Sequence, residues 1–274
     1  DMIFNADVRS GSGHITVVAD NDIDGNADVT TVDGTVFIWA RNGFVDGAPI
    51  DGVNLDPATM ISSGDGNVRI LAGNESDIWL NQVKAGAGSV SLVAQRDIWD
   101  NNGAAINVTA SVLRLEADSN GDQVGQVGGE DAANGQPEEN VNAVDTMVDI
   151  VAAKSADGIH LHERGEVVLD ILGNPIELVG ELTVDLTGDI RVEQVNFNST
   201  TSSRTDLSLS DLETTDQGSI KIRGTSITIE EGDPDDVGVT AGGTGDILIL
   251  AINGPPGLVI YHADIRTGSG NITL

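Results

Sequence analysis

Apolar and polar residues alternate in short runs along this chain, and a glycine-rich turn precedes most of them. Ile15-Thr16-Val17, Val68-Arg69-Ile70, Val90-Ser91-Leu92, Ile220-Lys221-Ile222 and Ile247-Leu248-Ile249 share this form. Alternation of period two marks a strand with one buried side. The outer residues of each triplet are therefore the expected inward positions, and a slip of one residue would turn all of them to solvent. No sustained i, i+3, i+4 pattern occurs, and β-branched residues and glycine dominate, so helices are not expected.

The runs form a repeat. Gly64-Asp65-Gly66-Asn67-Val68-Arg69-Ile70-Leu71-Ala72 returns as Gly86-Ala87-Gly88-Ser89-Val90-Ser91-Leu92-Val93-Ala94 and as Gly243-Thr244-Gly245-Asp246-Ile247-Leu248-Ile249-Leu250-Ala251. A second phrase, Asp-Ile, follows at Asp22-Ile23, Asp77-Ile78, Asp97-Ile98 and Asp189-Ile190. A short apolar run such as Val83-Lys84-Ala85 closes the unit. Turn glycines lie 21 apart from Gly13 to Gly34, 22 apart from Gly66 to Gly88 and 25 apart from Gly245 to Gly270. The interval from Gly34 to Gly66 is 32, with Pro49 and Pro57 in the excess. Residues 263–274 restate residues 6–17, so a unit is starting again where the sequence stops, as in a piece of something longer.

Three short strands per unit make too brief a cycle for a βαβ crossover, which needs ~30 residues. A string of β-sandwiches would show a domain period near ~100 residues. The short period favours an all-β, right-handed parallel β-helix, or β-solenoid, with coils of about 21–25 residues. The expected organisation is one elongated segment, 1–274, of a longer chain. Two stretches break the pattern: acidic, Gly-rich 116–146 and Ser/Thr-rich 196–217 read as insertions extruded at coil corners. Neither end shows a cap, so the chain is expected to continue or to meet copies of itself head to tail, an open contact that makes fibres.

Composition narrows the function. Aromatic residues are 3%, so Val, Ile, Leu and Ala must supply the core. A net charge of −31 excludes a nucleic-acid binder, which needs cations to neutralise phosphates. The same charge disfavours anionic membranes, and no apolar stretch is long enough to span one. Such a surface repels itself unless cations screen or bridge it. Cysteine is absent, which removes disulfides, thiolate metal sites and Cys nucleophiles.

The Gly-x-Gly-x-Ile-x-Leu-x-Ala phrase followed by Asp-Ile, iterated over 6–107 and 218–274, resembles the β-solenoid repeats of giant bacterial cell-surface proteins, in the style of filamentous-haemagglutinin-like adhesins. That resemblance implies a secreted, elongated, non-catalytic stalk or fibre segment, extracellular or at the cell surface. The alternative is an adhesin module that binds glycan or a host surface through the insertions or through outward Trp residues.

Three constellations carry candidate chemistry. Asp20, Asp22 and Asp24 open like a calcium loop, Asp-x-Asp-x-Asp-Gly, but position 12 is Thr31 where a bidentate Glu belongs. Asp118, Asn120 and Asp122 form a shorter set, and Asp233, Asp235 and Asp236 a third. Calcium is the cofactor such carboxylates would take, while the plainer reading is that Asp and Asn make turns. Trp79 and Trp99 follow Asp-Ile in successive units; outward indoles could stack coil on coil or offer a platform to sugars. His160 and His162 alternate on one strand, but without a spaced third ligand they read as solvated. Sugar-cleaving β-helices work through gathered carboxylates, yet no catalytic signature accompanies the many acids here, so no enzyme is expected. Asn74, Asn107, Asn198 and Asn271 each open a glycosylation triplet.

Overall fold

A computed structural model of the chain describes residues 1–42, 52–103, 105–117, 124–129, 142–163, 167–169, 175–177, 181–184, 191–196, 199–205, 212–214, 219–224, 226–229, 237–251, 258–261 and 264–274. It is all β among the described residues. Strands follow one another around three faces and then climb one coil. The first coil is Met2–Phe4, Val8–Ser10 and Ile15–Ala19; the second is Ile23–Gly25, Val29–Thr31 and Val36–Ala40. Each strand pairs in parallel with its counterpart one coil on, which makes the fold a parallel β-helix.

One column shows how far the register runs. On the first face Met2, Ile23, Val53, Ile78, Ile98, Val127, Ile159, Ile220, Ile247 and Ile272 are successive partners. The second face stacks Val8, Val29, Ile61, Val83, Val108 and Thr146. The third stacks Ile15, Val36, Val68, Val90, Leu113 and Val151. Of the expected inward residues, Ile15, Val17, Val68, Ile70, Val90, Leu92, Ile220, Ile247 and Ile249 are all buried. The side chain of Ile222 lies outside the described residues. Like side chains stacked on like side chains suit β-branched residues, and burying each contributes about 1.5–3 kcal/mol.

The Gly-x-Gly phrase reflects backbone lying on backbone. A Cβ added to Gly34 would overlap the carbonyl oxygen of Gly13; one on Gly66 would overlap that of Gly34, and one on Gly88 that of Gly66. Gly268 and Gly270 stand in the same relation to Gly243 and Gly245. At Gly34, Gly66 and Gly88 the requirement is close approach, since their φ is not positive. A hydroxyl three residues earlier fastens the turn. Thr31 donates to the Gly13 carbonyl at 2.9 Å and accepts the Gly34 N–H at 3.2 Å. Ser63 does the same with Gly34 and Gly66 at 2.7 and 2.8 Å, and Thr267 with Gly245 and Gly270 at 2.7 and 3.2 Å. Where Ala85 replaces the hydroxyl, the Gly88 N–H bonds to the Ala85 carbonyl at 2.7 Å instead.

The repeated phrase does not stay on one face. Gly13, Gly34, Gly66 and Gly88 each lead into a third-face strand, but Gly245 and Gly270 lead into first-face strands, Ile247–Ala251 and Ile272–Thr273. Residues 264–274 and 7–17 thus match in sequence yet occupy different corners. Between them Val108–Glu116 and Val144–Ser155 run through the second and third faces as single strands with no glycine turn. Any corner can use the turn, because each asks only for a close backbone stack.

Within 116–146 the short strand Gln126–Val127 keeps its place in the first-face ladder, between Ile98 and Ile159. Among the described residues two antiparallel pairs depart from the solenoid: Val167–Leu169 with Pro175–Glu177, and Arg191–Asn196 with Ser199–Thr205. The second hairpin begins ahead of 196–217 and enters it.

Glycine variants check the stacked turns. Gly34→Ala and Gly66→Ala are each expected to cost about 1–3 kcal/mol or more, because the added methyl must push a neighbouring coil away. Gly11→Ala, with nothing within 4 Å of its added carbon, should lie within about 0.5 kcal/mol of the parent. Denaturant midpoints compare the three, and equal losses at Gly11 and Gly34 would contradict the stack.

Candidate functional site

At a corner the strands bend and the backbone ladder is interrupted, so an N–H there needs another acceptor. Side chains of the preceding coil supply it. At the entry to the first face the carboxylate of the Asp-Ile phrase serves: Asp22 accepts the Gly52 N–H at 2.8 Å, Asp77 that of Asp97 at 3.0 Å, Asp97 that of Gln126 at 2.8 Å and Asp246 that of Asn271 at 2.7 Å. At the second corner Asp28 accepts from Met60 at 2.9 Å and Asn107 from Asp145 at 2.7 Å. At the third, His14 Nδ1 accepts from Thr35 at 3.0 Å and Asn67 from Ser89 at 2.8 Å. A hydrogen bond to a charged acceptor contributes about 1.5–3 kcal/mol.

The three acids read as a calcium loop are spread apart by this arrangement. Asp22 is buried and faces the Gly52 amide, Asp20 is exposed and sits 3.4 Å from Arg41, and Asp24 stands outward on the strand Ile23–Gly25. Asp118, Asn120, Asp122, Asp233, Asp235 and Asp236 lie outside the described residues. Among the described residues no group of three or more His, Asp or Glu is placed to hold a metal ion.

A buried polar column lines the corner between the first and second faces. Thr59 donates to the Gly25 carbonyl at 2.5 Å, and Asn81 to the carbonyls of Asp56 and Thr59 at 2.9 and 2.6 Å. Asn107 donates to Asp100 at 2.7 Å, and Asp145 faces His162 at 2.8 Å. Sequence reasoning missed this column; its only trace was a polar residue just before each second-face run. The histidines read as solvated are not: His160 is 5% exposed and His162 is set against Asp145. Asn107 is fully buried with its amide engaged, so its glycosylation triplet is closed in the folded chain, whereas Asn74 and Asn271 are exposed.

Burial pushes the Asp97 carboxyl up, against the opposing Gln126 N–H, and nearby Asp157 adds to the rise. Burial likewise raises Asp100, against its bonds from Asn107 and Asn102, and Asp145 adds to it. Both aspartates therefore hold a proton more readily folded than unfolded.

Trp79 and Trp99 are register partners with Ile78 and Ile98 inward, and their rings stack at 5.8 Å with 27° between planes. The indole of Trp99 also bonds to Asp97, and Gly129 closes over its ring, where an added Cβ would come within 3.1 Å. The indoles turn faces toward one another, an arrangement that packs coil on coil.

A scan against protein-family models finds no match, and searches of curated proteins and of solved structures find none either. The fold itself, a parallel β-helix built on a repeat, is the class that the geometry defines.

Two measurements follow from the corners. Because the raised carboxyls of Asp97 and Asp100 bind protons better in the folded state, their contribution is full at low pH and is lost as pH rises through the folded values, above the ordinary range near ~3.9. Melting temperature should rise as pH falls from neutral toward that range, and Asp97→Asn with Asp100→Asn should flatten the rise; an unchanged slope would contradict the assignment. Asn107→Ala, which strands buried partners, should lower stability by about 1–3 kcal/mol, against a change within about 0.5 kcal/mol for exposed Asn74→Ala in the same denaturant titration.

Proposed function

We propose that this chain is a structural rod, a stalk or fibre segment of a large secreted cell-surface protein that lies within or assembles into an extracellular filament. The observation that supports it best is the coupling between coils: parallel ladders on three faces and side-chain acceptors at three corners tie each coil to the next. The axis of such a helix lies along its hydrogen bonds, so an axial pull loads all three ladders of a coil interface together. Stability built from nearest-neighbour interfaces lets a rod be lengthened without redesign. The likeness of the repeat phrase to filamentous-haemagglutinin-like solenoids supports the same reading, and the usual hand of parallel crossovers makes the coil right-handed. The partner is the chain itself, continued or stacked head to tail. The acidic surface suits a saline setting in which calcium or other cations screen and bridge it.

Electron microscopy of the native full-length material, paired with a glycan array, tests the proposal. Rods or filaments that leave the array blank are expected. A compact, unassembled particle that binds sugar would overturn the reading in favour of an adhesin acting through 116–146, 196–217 or the Trp79–Trp99 pair.

A further inference from the structure

The outer side of the third face is dry. Phe37, Arg69, Ser91 and Arg114 are successive register partners pointing outward there, opposite in phase to the inward Val36, Val68, Val90 and Leu113. On the second face the outward side is wet: Arg9 and Lys84 are exposed, and Thr30 and Ser62 half-buried. On the third face Phe37 is 4% exposed, Arg69 7%, Ser91 0% and Arg114 2%. Arg114 pairs with Glu116 of its own strand, and beside this column the Arg41 guanidinium lies 4.7 Å over the Trp39 ring. Two guanidiniums are thus withdrawn from water in a chain with only 13 Lys and Arg against 44 Asp and Glu.

The element laid across this side comes from far along the chain. The backbone of Arg191–Asn196, one strand of the antiparallel hairpin with Ser199–Thr205, runs close to Ile15–Ala19, Val36–Ala40 and Ser89–Ala94. In chain order that hairpin is inserted between Glu181–Val184 and Leu212–Thr214, strands that stack several coils further on. The occupant of the dry face is therefore a segment of the same chain, folded back along the rod.

We propose that the hairpin of Arg191–Asn196 and Ser199–Thr205 is an intramolecular strap, whose first strand docks on the outer third face and keeps an aromatic and guanidinium surface out of water. This goes beyond the rod reading and does not rest on it. A two-stranded hairpin is marginal alone, so docking orders the strap. Its two described strands pair in the backbone with each other and not with the coils, so it opens more readily than the coil ladders. Lifting it uncovers Phe37, Arg69 and Ser91 while the coil ladders stay intact.

The chain has three Trp and no Cys, which makes the test direct. In full-length protein, Trp79→Phe with Trp99→Phe leaves Trp39 as the single emitter, and Gln194→Cys carries a nitroxide. The label is expected to quench Trp39 strongly, whereas the same label at Arg9→Cys on the second face should leave it bright. Equal emission with the two labels overturns the strap. A second variant replaces 191–205 with a short Gly-Ser link; acrylamide quenching of Trp39 should rise several-fold with the strand signal in circular dichroism retained. Unchanged quenching in that folded variant also overturns the proposal, and if the variant fails to fold, the full-length label pair decides the matter alone.

Discussion

At each stacked turn one coil's carbonyl oxygen occupies the place where the next coil's Cβ would be. Gly13, Gly34, Gly66 and Gly88 are stacked in this way, and the rest of the solenoid depends on it. If the turns could not close to backbone contact, the three faces could not hold the ~4.8 Å spacing of paired strands. The hydroxyls of Thr31 and Ser63 then lock the approach by bonding to the coil below and to their own turn at once. A steric requirement on a few glycines thereby sets the spacing for long columns of Val and Ile.

The corners carry the complementary problem, amides that bending removes from the ladder. The solution is the same at all three: an Asp, Asn or His of one coil accepts the N–H of the next. Part of the acidity visible in the sequence, at Asp22, Asp28, Asp77, Asp97 and Asp246, thus has a local structural use beyond any effect of its net charge. The cost of placing carboxylates in half-buried corners appears as the raised Asp97 and Asp100.

The alternating runs and the turn glycines made the strands, the inward residues and the β-helix legible, because those features act within a single unit. The Asp-Ile-Trp repetition likewise pointed to coil-on-coil contact of Trp79 and Trp99. What acts between units was hidden. Asp22 belongs to a calcium-like string, yet it accepts from the amide of Gly52, a whole coil away. Asn107 looked like a glycosylation triplet because nothing nearby in sequence reveals its contacts with Asp100 and Asp145. The migration of the Gly-x-Gly phrase between corners was also invisible, since the phrase encodes a turn and carries no label for its face. Phe37 and Arg69 fit an outward position by phase, and only their burial shows that something lies over them.

The central claim is that successive coils climb one axis by a constant step, and the absence of cysteine allows it to be measured as distance. Arg9, Thr30, Ser62, Lys84, Thr109 and Met147 are successive outward partners on the second face. Spin labels at Arg9 paired in turn with Lys84, Thr109 and Met147 report that face by double electron–electron resonance. At ~4.8 Å per coil the backbone separations should rise evenly, to roughly 14, 19 and 24 Å. Separations that fail to increase from one pair to the next would mean that the chain folds back on itself, and would contradict the stacked helix.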